Sequence, residues 1–114
     1  MRKINNIPLA ANQQQALNEL KYRLTHEFDI ESLALYGSAA RGEANEESDL
    51  DLLILTKHPL TRVARHKITD LAFEINLQYG TNLSAVVVDR DSWERGAFSV
   101  LPFRKEVLKD SVYL

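Results

Sequence analysis

Leu33 to Leu55 reads LALYGSAARGEANEESDLDLLIL, and this stretch carries both the fold and the chemistry. The largely apolar run Glu31 to Tyr36 reads as a strand that leads straight into Gly37-Ser38. Glycine has no Cβ, so a ligand can approach the backbone closely there. The amides that follow can point at a phosphate, and the Ser38 hydroxyl can add a hydrogen bond. Gly37 to Gly42 is a tight small-residue segment, and Glu43 to Ser48 is polar loop. Asp49 to Thr56 (DLDLLILT) alternates at first and then turns continuously apolar, the pattern of a largely buried strand. Two residues apart on that strand, Asp49 and Asp51 share a face, with Cα atoms about 6.6 Å apart.

Five acids (Glu43, Glu46, Glu47, Asp49 and Asp51) lie between residues 43 and 56, and no base lies among them. Two aligned carboxylates at the end of an apolar strand repel each other. A hard divalent cation removes that repulsion, and Mg²⁺ is commonly held by one or two carboxylates plus substrate phosphates. A Gly-Ser after a strand is also an ordinary turn, and an Asp-x-Asp an ordinary solvated strand end. Together they suggest nucleotide phosphoryl chemistry.

Outward from this segment, Asn12 can cap a helix over about 12–28, with Gln15 three residues on and Leu17, Leu20, Leu24 and Phe28 at helical spacing. Residues 1–11 read as a loose lead-in. A second helix is expected over about 61–79, capped by Thr61, striped by Ala64, Ile68, Leu71, Ala72 and Ile75, and stopped by Gly80. Leu83 to Val88 reads as a strand. Asp89 or Asp91 can cap a short helix around Trp93, and Pro102 can open a last helix to about Lys109. Tyr113 and Leu114 form an apolar end that can dock on the sheet. This order predicts an α/β (α+β) fold, a small mixed β-sheet with helices packed on it, in a single domain over 1–114.

The 114 residues are 45% hydrophobic and 26% charged, a globular composition. No cysteine is present, which excludes disulfide scaffolds, cysteine zinc sites and thiol nucleophiles. The three histidines, His26, His58 and His66, have no metal-ligand spacing. No apolar run is long enough to span a bilayer, and Met1 to Asn6 lacks the apolar stretch of a signal peptide, so a cytoplasmic protein is expected. The net charge of −2 argues against stable nucleic-acid binding by this chain alone. Arg62, Arg65 and Lys67 form a basic cluster that could meet a partner's acidic face or a nucleic acid but reads rather as a solvated helix face. Trp93, near Phe98 and Phe103, reads as core rather than as a base-stacking residue.

Ten residues, 39 to 48, separate Ser38 from Asp49. Gly37-Ser38, this spacing, and then Asp49-Leu50-Asp51 resemble the signature of the DNA polymerase β-like nucleotidyltransferase superfamily. The longer string from Gly37 to Gly42 and from Ser48 to Ile54 is similar to its minimal nucleotidyltransferase (MNT) group. The resemblance implies transfer of a nucleoside monophosphate, AMP from ATP, to a hydroxyl acceptor, with pyrophosphate leaving. It implies that Gly37 and Ser38 bind the triphosphate and that Asp49 and Asp51 ligate Mg²⁺ (or Mn²⁺). Arg41 can aid phosphate binding, or it can form an ion pair with Glu43 or Glu47. Ser48 is expected to support the loop through a backbone hydrogen bond.

The superfamily completes its metal site with a third carboxylate from a later strand. In the matching strand here, Asn82 to Val88, Ser84 stands in its place. Asp89 is at the far end, about 16 Å along and on the other face, and reads as a helix cap. Glu74 is a remote substitute. The chain is little more than a catalytic core, so the acceptor is expected on another chain. In the family that chain is a small helical HEPN protein, an RNase toxin to which the MNT protein is the antitoxin. The alternative is a catalytically impaired nucleotide-binding domain that acts by binding its partner non-covalently. The oligomer, homomeric or heteromeric, is left open.

Overall fold

The structure, a computed structural model, describes residues 2–3 and 7–114. Along the chain run β1 (Arg2–Lys3), α1 (Ala11–Glu27), β2 (Ile30–Tyr36), a one-turn α2 (Gly37–Ala40), β3 (Leu50–Thr56) and α3 (Arg62–Tyr79). They are followed by β4 (Leu83–Asp89), a short α4 (Arg90–Glu94), a 3₁₀ turn over Ala97–Val100, α5 (Pro102–Asp110) and β5 (Val112–Tyr113). The strands form one mixed sheet in the order β1-β5-β2-β3-β4. β2 is antiparallel to β3 and to β5, whereas β3 and β4 are parallel and joined by the α3 crossover. This is the expected α+β architecture. No helix of the described residues is long and apolar enough to cross a membrane.

Strand alternation divides the apolar residues between two faces. On one face Leu33, Leu35, Leu50, Leu52, Ile54 and Leu83 pack against Leu17, Leu20 and Leu24 of α1 and Ile68, Leu71 and Ile75 of α3. The helical spacing of those residues is what puts them on one stripe. Leu52 is fully buried, and truncating it to Ala costs about 2–5 kcal/mol. The other face is covered only in part, by a smaller cluster of Leu53, Val88, Trp93 and Val107 with Phe98 and Phe103 against it. Trp93 is core, as expected, at 5% exposure.

Helix ends are set by local chemistry. Thr61 Oγ accepts the Ala64 amide at 3.1 Å, and Gly80 closes α3 in the left-handed region at φ 68°. Asp89 caps α4. At α1 the expected Asn12 cap is replaced. The helix begins at Ala11, and the Gln13 side chain accepts the Ala10 amide at 3.0 Å. Ala10 carries no acceptor of its own, so the return hydrogen bond from Gln13 caps this end. The loose lead-in is corrected in part as well. Arg2–Lys3 pair in parallel with Val112–Tyr113, and that segment in turn pairs with Ala34 and Leu35. The remainder of the Met1 to Asn6 reading lies outside the described residues.

Candidate functional site

β2 ends at Tyr36, and the chain turns at once into α2. Gly37 makes this turn at φ +76°, in the left-handed region. A Cβ there would lie 2.7 Å from Asp51 Oδ2. The bare glycine is therefore required twice, by its backbone angle and by the carboxylate seated against it. Tyr36, the residue before α2, gives no side-chain cap, which leaves the first amides of that turn without an acceptor from it. Ser38 is half-buried beside them.

β3 begins at Leu50, one residue later than expected, so Asp49 lies just before the strand and Asp51 just inside it. Asp49 is exposed and Asp51 is half-buried. Neither carboxylate has a hydrogen bond or an ion pair among the described residues. Burial, and after it the charge of Asp49, hold the Asp51 carboxyl above its ordinary value. Two neighbouring, unpartnered carboxylates are a hard-oxygen donor set. They suit a divalent cation that takes its other ligands from phosphates and water. Among the described residues no group of three or more acids or histidines is placed to hold a metal.

Sheet register shows what else stands beside Asp51. Tyr36 is its partner on β2 and Ser84 its partner on β4, so the three form one row across the sheet. Ser84, exposed, is the neighbour of Asp51 where the superfamily pattern asks for a carboxylate. Tyr36 was not singled out from the sequence. Only strand pairing reveals it, because nothing local links residue 36 to residue 51. Its hydroxyl is pushed up by burial and then by the Asp51 charge, and its ring meets Phe103 edge-on at 5.5 Å.

Arg41 lies at the end of α2 and is held by two carboxylates: Nη1 to Asp110 at 2.9 Å and Nε to Glu43 at 3.3 Å. Of the two roles open to it, the ion pair with Glu43 is formed, and the pair with Asp110 ties α2 to the end of α5. Ser48 Oγ accepts the Asn45 amide at 2.9 Å and so supports the loop as expected. Asp89 is spent on Ser92, accepting its amide at 2.9 Å and its hydroxyl at 2.7 Å. Glu74 is paired with Arg23 at 3.4 Å. Neither joins the aspartates. A cavity of about 620 Å³ between α1 and α3, lined by Arg23, Val63 and Lys67, shares no residue with this site.

Asp51 seated against Gly37, with Asp49 two residues before it, sets hard-oxygen donors beside a turn whose first amides have no side-chain cap, an arrangement that can take a metal-bound phosphate. The nucleotidyltransferase domain model matches residues 15–114, and the chain belongs to that family. A candidate protein adenylyltransferase of Methanocaldococcus jannaschii is 44% identical over 63 residues, which are 54% of this chain and 43% of the relative. The chain thus matches less than half of that relative's length. Among solved structures, a toxin–antitoxin complex with AMP-PNP superposes with a TM-score of 0.61 at 19% identity, over 91% of this chain and 72% of the other. A tri-AMPylated Shewanella oneidensis HEPN toxin in complex with its MNT antitoxin gives 0.57 at 20% identity, over 89% and 70%. At these identities the likeness is one of fold.

Proposed function

We propose that residues 1–114 act as one nucleotidyltransferase domain that transfers AMP from ATP to a hydroxyl group of a HEPN-type helical partner, as a cytoplasmic antitoxin. The observation that carries this reading is the unpartnered Asp49–Asp51 pair against Gly37. The names of the similar proteins, protein adenylyltransferase and AMPylated toxin with its antitoxin, supply the donor and the class of acceptor.

In this reading the α2 amides and Ser38 Oγ bind the triphosphate, and Gly37 lets it approach. Asp49 and Asp51 hold Mg²⁺ or Mn²⁺, which when bound offsets phosphate charge and lowers the pKa of the acceptor hydroxyl. The acceptor oxygen attacks the α-phosphorus, the bond to the β-phosphate oxygen breaks, and pyrophosphate leaves. The hydroxyl proton passes to solvent. Arg41, held by Asp110 and Glu43, acts by positioning α2. The acidic loop, Glu43 to Asp49, surrounds the aspartates with negative charge and favours the cation.

The Ser84 neighbour of Asp51 favours a second reading, in which the domain binds nucleotide and neutralises its partner by contact alone. The two separate in one assay. α-³²P-ATP, Mg²⁺, the chain and a HEPN-type partner are incubated, and label on the partner is read after denaturing electrophoresis. Covalent label that disappears in Asp51→Asn supports transfer. Neutralisation of the partner without label supports the second reading, and label that survives both Asp49→Asn and Asp51→Asn overturns the site.

A further inference from the structure

β4 is the outer strand of the sheet among the described residues. Its run Leu83 to Val88 contains no charge, proline or glycine, and its ladder to β3 is continuous from Leu83 to Asp89 without a bulge. Charge, proline and bulges are devices by which proteins blunt an open edge, and the run from Ser84 to Val88 has none of them. Asn76 of α3 closes only the first position: its side chain accepts the Leu83 amide at 2.7 Å and donates to the Leu83 carbonyl at 3.1 Å. Leu83 therefore points its backbone outward. By alternation along a parallel strand Ala85 and Val87 do the same, while Ser84 and Val86 bond inward to β3. The side chains of Ala85, Val86 and Val87 are half-buried. Phe73 lies one turn before Asn76, on the helix face that reaches this edge, and is 63% exposed.

Charge is distributed unevenly along the same edge. At its start the Glu47 carbonyl accepts from Asn82 Nδ2 at 3.3 Å, which places the Glu46, Glu47 and Asp49 loop there. At its end stand exposed Arg62 and Arg65, which form no salt bridge among the described residues; Arg65 lies near enough to Asp89 for its charge to help lower that carboxyl, and Arg62 adds a second positive charge beside them. An antiparallel copy of the strand brings each acidic start against a basic end, twice over. A parallel copy would set like against like.

We infer that β4 pairs antiparallel with β4 of a second copy of this chain, about a two-fold axis at Val86, so that the two sheets become one. Ala85 and Val87 of each copy exchange four backbone hydrogen bonds with Val87 and Ala85 of the other. Val86 meets its own copy on the axis, Phe73 covers the joint, and Arg65 faces the loop of Glu47. Ala85, Val86 and Val87, whose backbones form the pairing, are assigned no part in AMP transfer; Glu47 belongs to the loop that favours the cation, so the test reads association and not transfer.

Sedimentation velocity on the whole chain tests it. At about 100 μM the expected species has twice the 13.0 kDa of one chain. Ala85→Pro removes an outward donor and leaves the β3 ladder whole, so it should give a folded monomer. Arg65→Glu should weaken association at least about tenfold, and adding Glu47→Arg should restore it. Wild-type amide exchange gives the same test without a variant. Protection of Ala85 and Val87 should rise with protein concentration, while Val86 stays protected throughout. A monomer at about 100 μM overturns the inference. So does a dimer that persists in Ala85→Pro, or one whose Ala85 and Val87 amides exchange freely.

Discussion

Asp51 and Asp89 stand at opposite ends of one parallel strand pair, and the protein treats them in opposite ways. Asp89 is satisfied from within. Two hydrogen bonds from Ser92 hold its carboxyl below the ordinary value and close the first turn of α4. Asp51 has no hydrogen bond or ion pair among the described residues. Burial and the charge of Asp49 hold it above the ordinary value, and the chain gives up every side chain at position 37 to seat it. One aspartate completes the fold; the other is completed only by something that binds. A perturbed carboxylate without a structural partner marks a candidate functional site.

The largest expected effect separates the two by activity. Asp51→Asn or Asp49→Asn should lower AMP transfer at least about 100-fold. Asp89→Asn should leave transfer per folded molecule unchanged, measured by α-³²P label on the partner. If all three variants behave alike, the contrast is broken.

Next in size is stability. Asp89→Ala removes a helix cap and should cost about 1–2 kcal/mol in urea unfolding, without affecting nucleotide binding. Asp51→Asn should act in the other direction, raising the Tm of the free protein by a few degrees and reducing the gain on adding Mg²⁺-ATP. An unchanged Tm in both conditions would mean that the Asp51 carboxylate is merely solvated.

The pH dependence of stability sharpens the same contrast. The folded Asp51 carboxyl lies above its unfolded value of 3.8, so the native state binds more protons between the two values, and stability falls as pH rises through that window. The advantage of Asp51→Asn should thus be full at neutral pH and vanish in acid. The folded Asp89 carboxyl lies below 3.8, so its contribution is full above that value and fades as pH falls toward the folded one. Thermal melts across pH should show both losses.

The smallest effect concerns the third position of the row. Ser84→Asp would put a third carboxylate beside Asp51, lowering the Tm without metal and increasing the Mg²⁺-dependent gain. Equal melting curves would mean that residue 84 does not face the pair.

What the sequence revealed was what is local. The apolar runs of β2 and β3 and the stripe of α3 with Thr61 and Gly80 at its ends are each written within a few residues, and each lies within a residue of its expected bounds; the Gly37-Ser38 to Asp49-x-Asp51 spacing is equally local, and the fold seats Asp51 against Gly37. What escaped depends on partners far along the chain. β1 and β5 are two residues each and exist only as a pairing with one another and with β2. Arg41 and Asp110 are 69 positions apart, so only Glu43 and Glu47 were visible as its partners. Tyr36 reaches Asp51 through the β2–β3 register, which no hydrophobic pattern specifies residue by residue. At α1, Asn12 has the right chemistry for a cap, but its side chain is used on the Tyr79 carbonyl at 3.1 Å and Gln13 caps instead.

Calorimetric titration of ATP into the protein, with and without Mg²⁺, tests the central claim most directly. Binding should require Mg²⁺ and be lost in Asp51→Asn, while Asp89→Asn retains it. Binding that is indifferent to Mg²⁺, or that survives Asp51→Asn, would contradict the assignment of the aspartate pair as the seat of the nucleotide's metal.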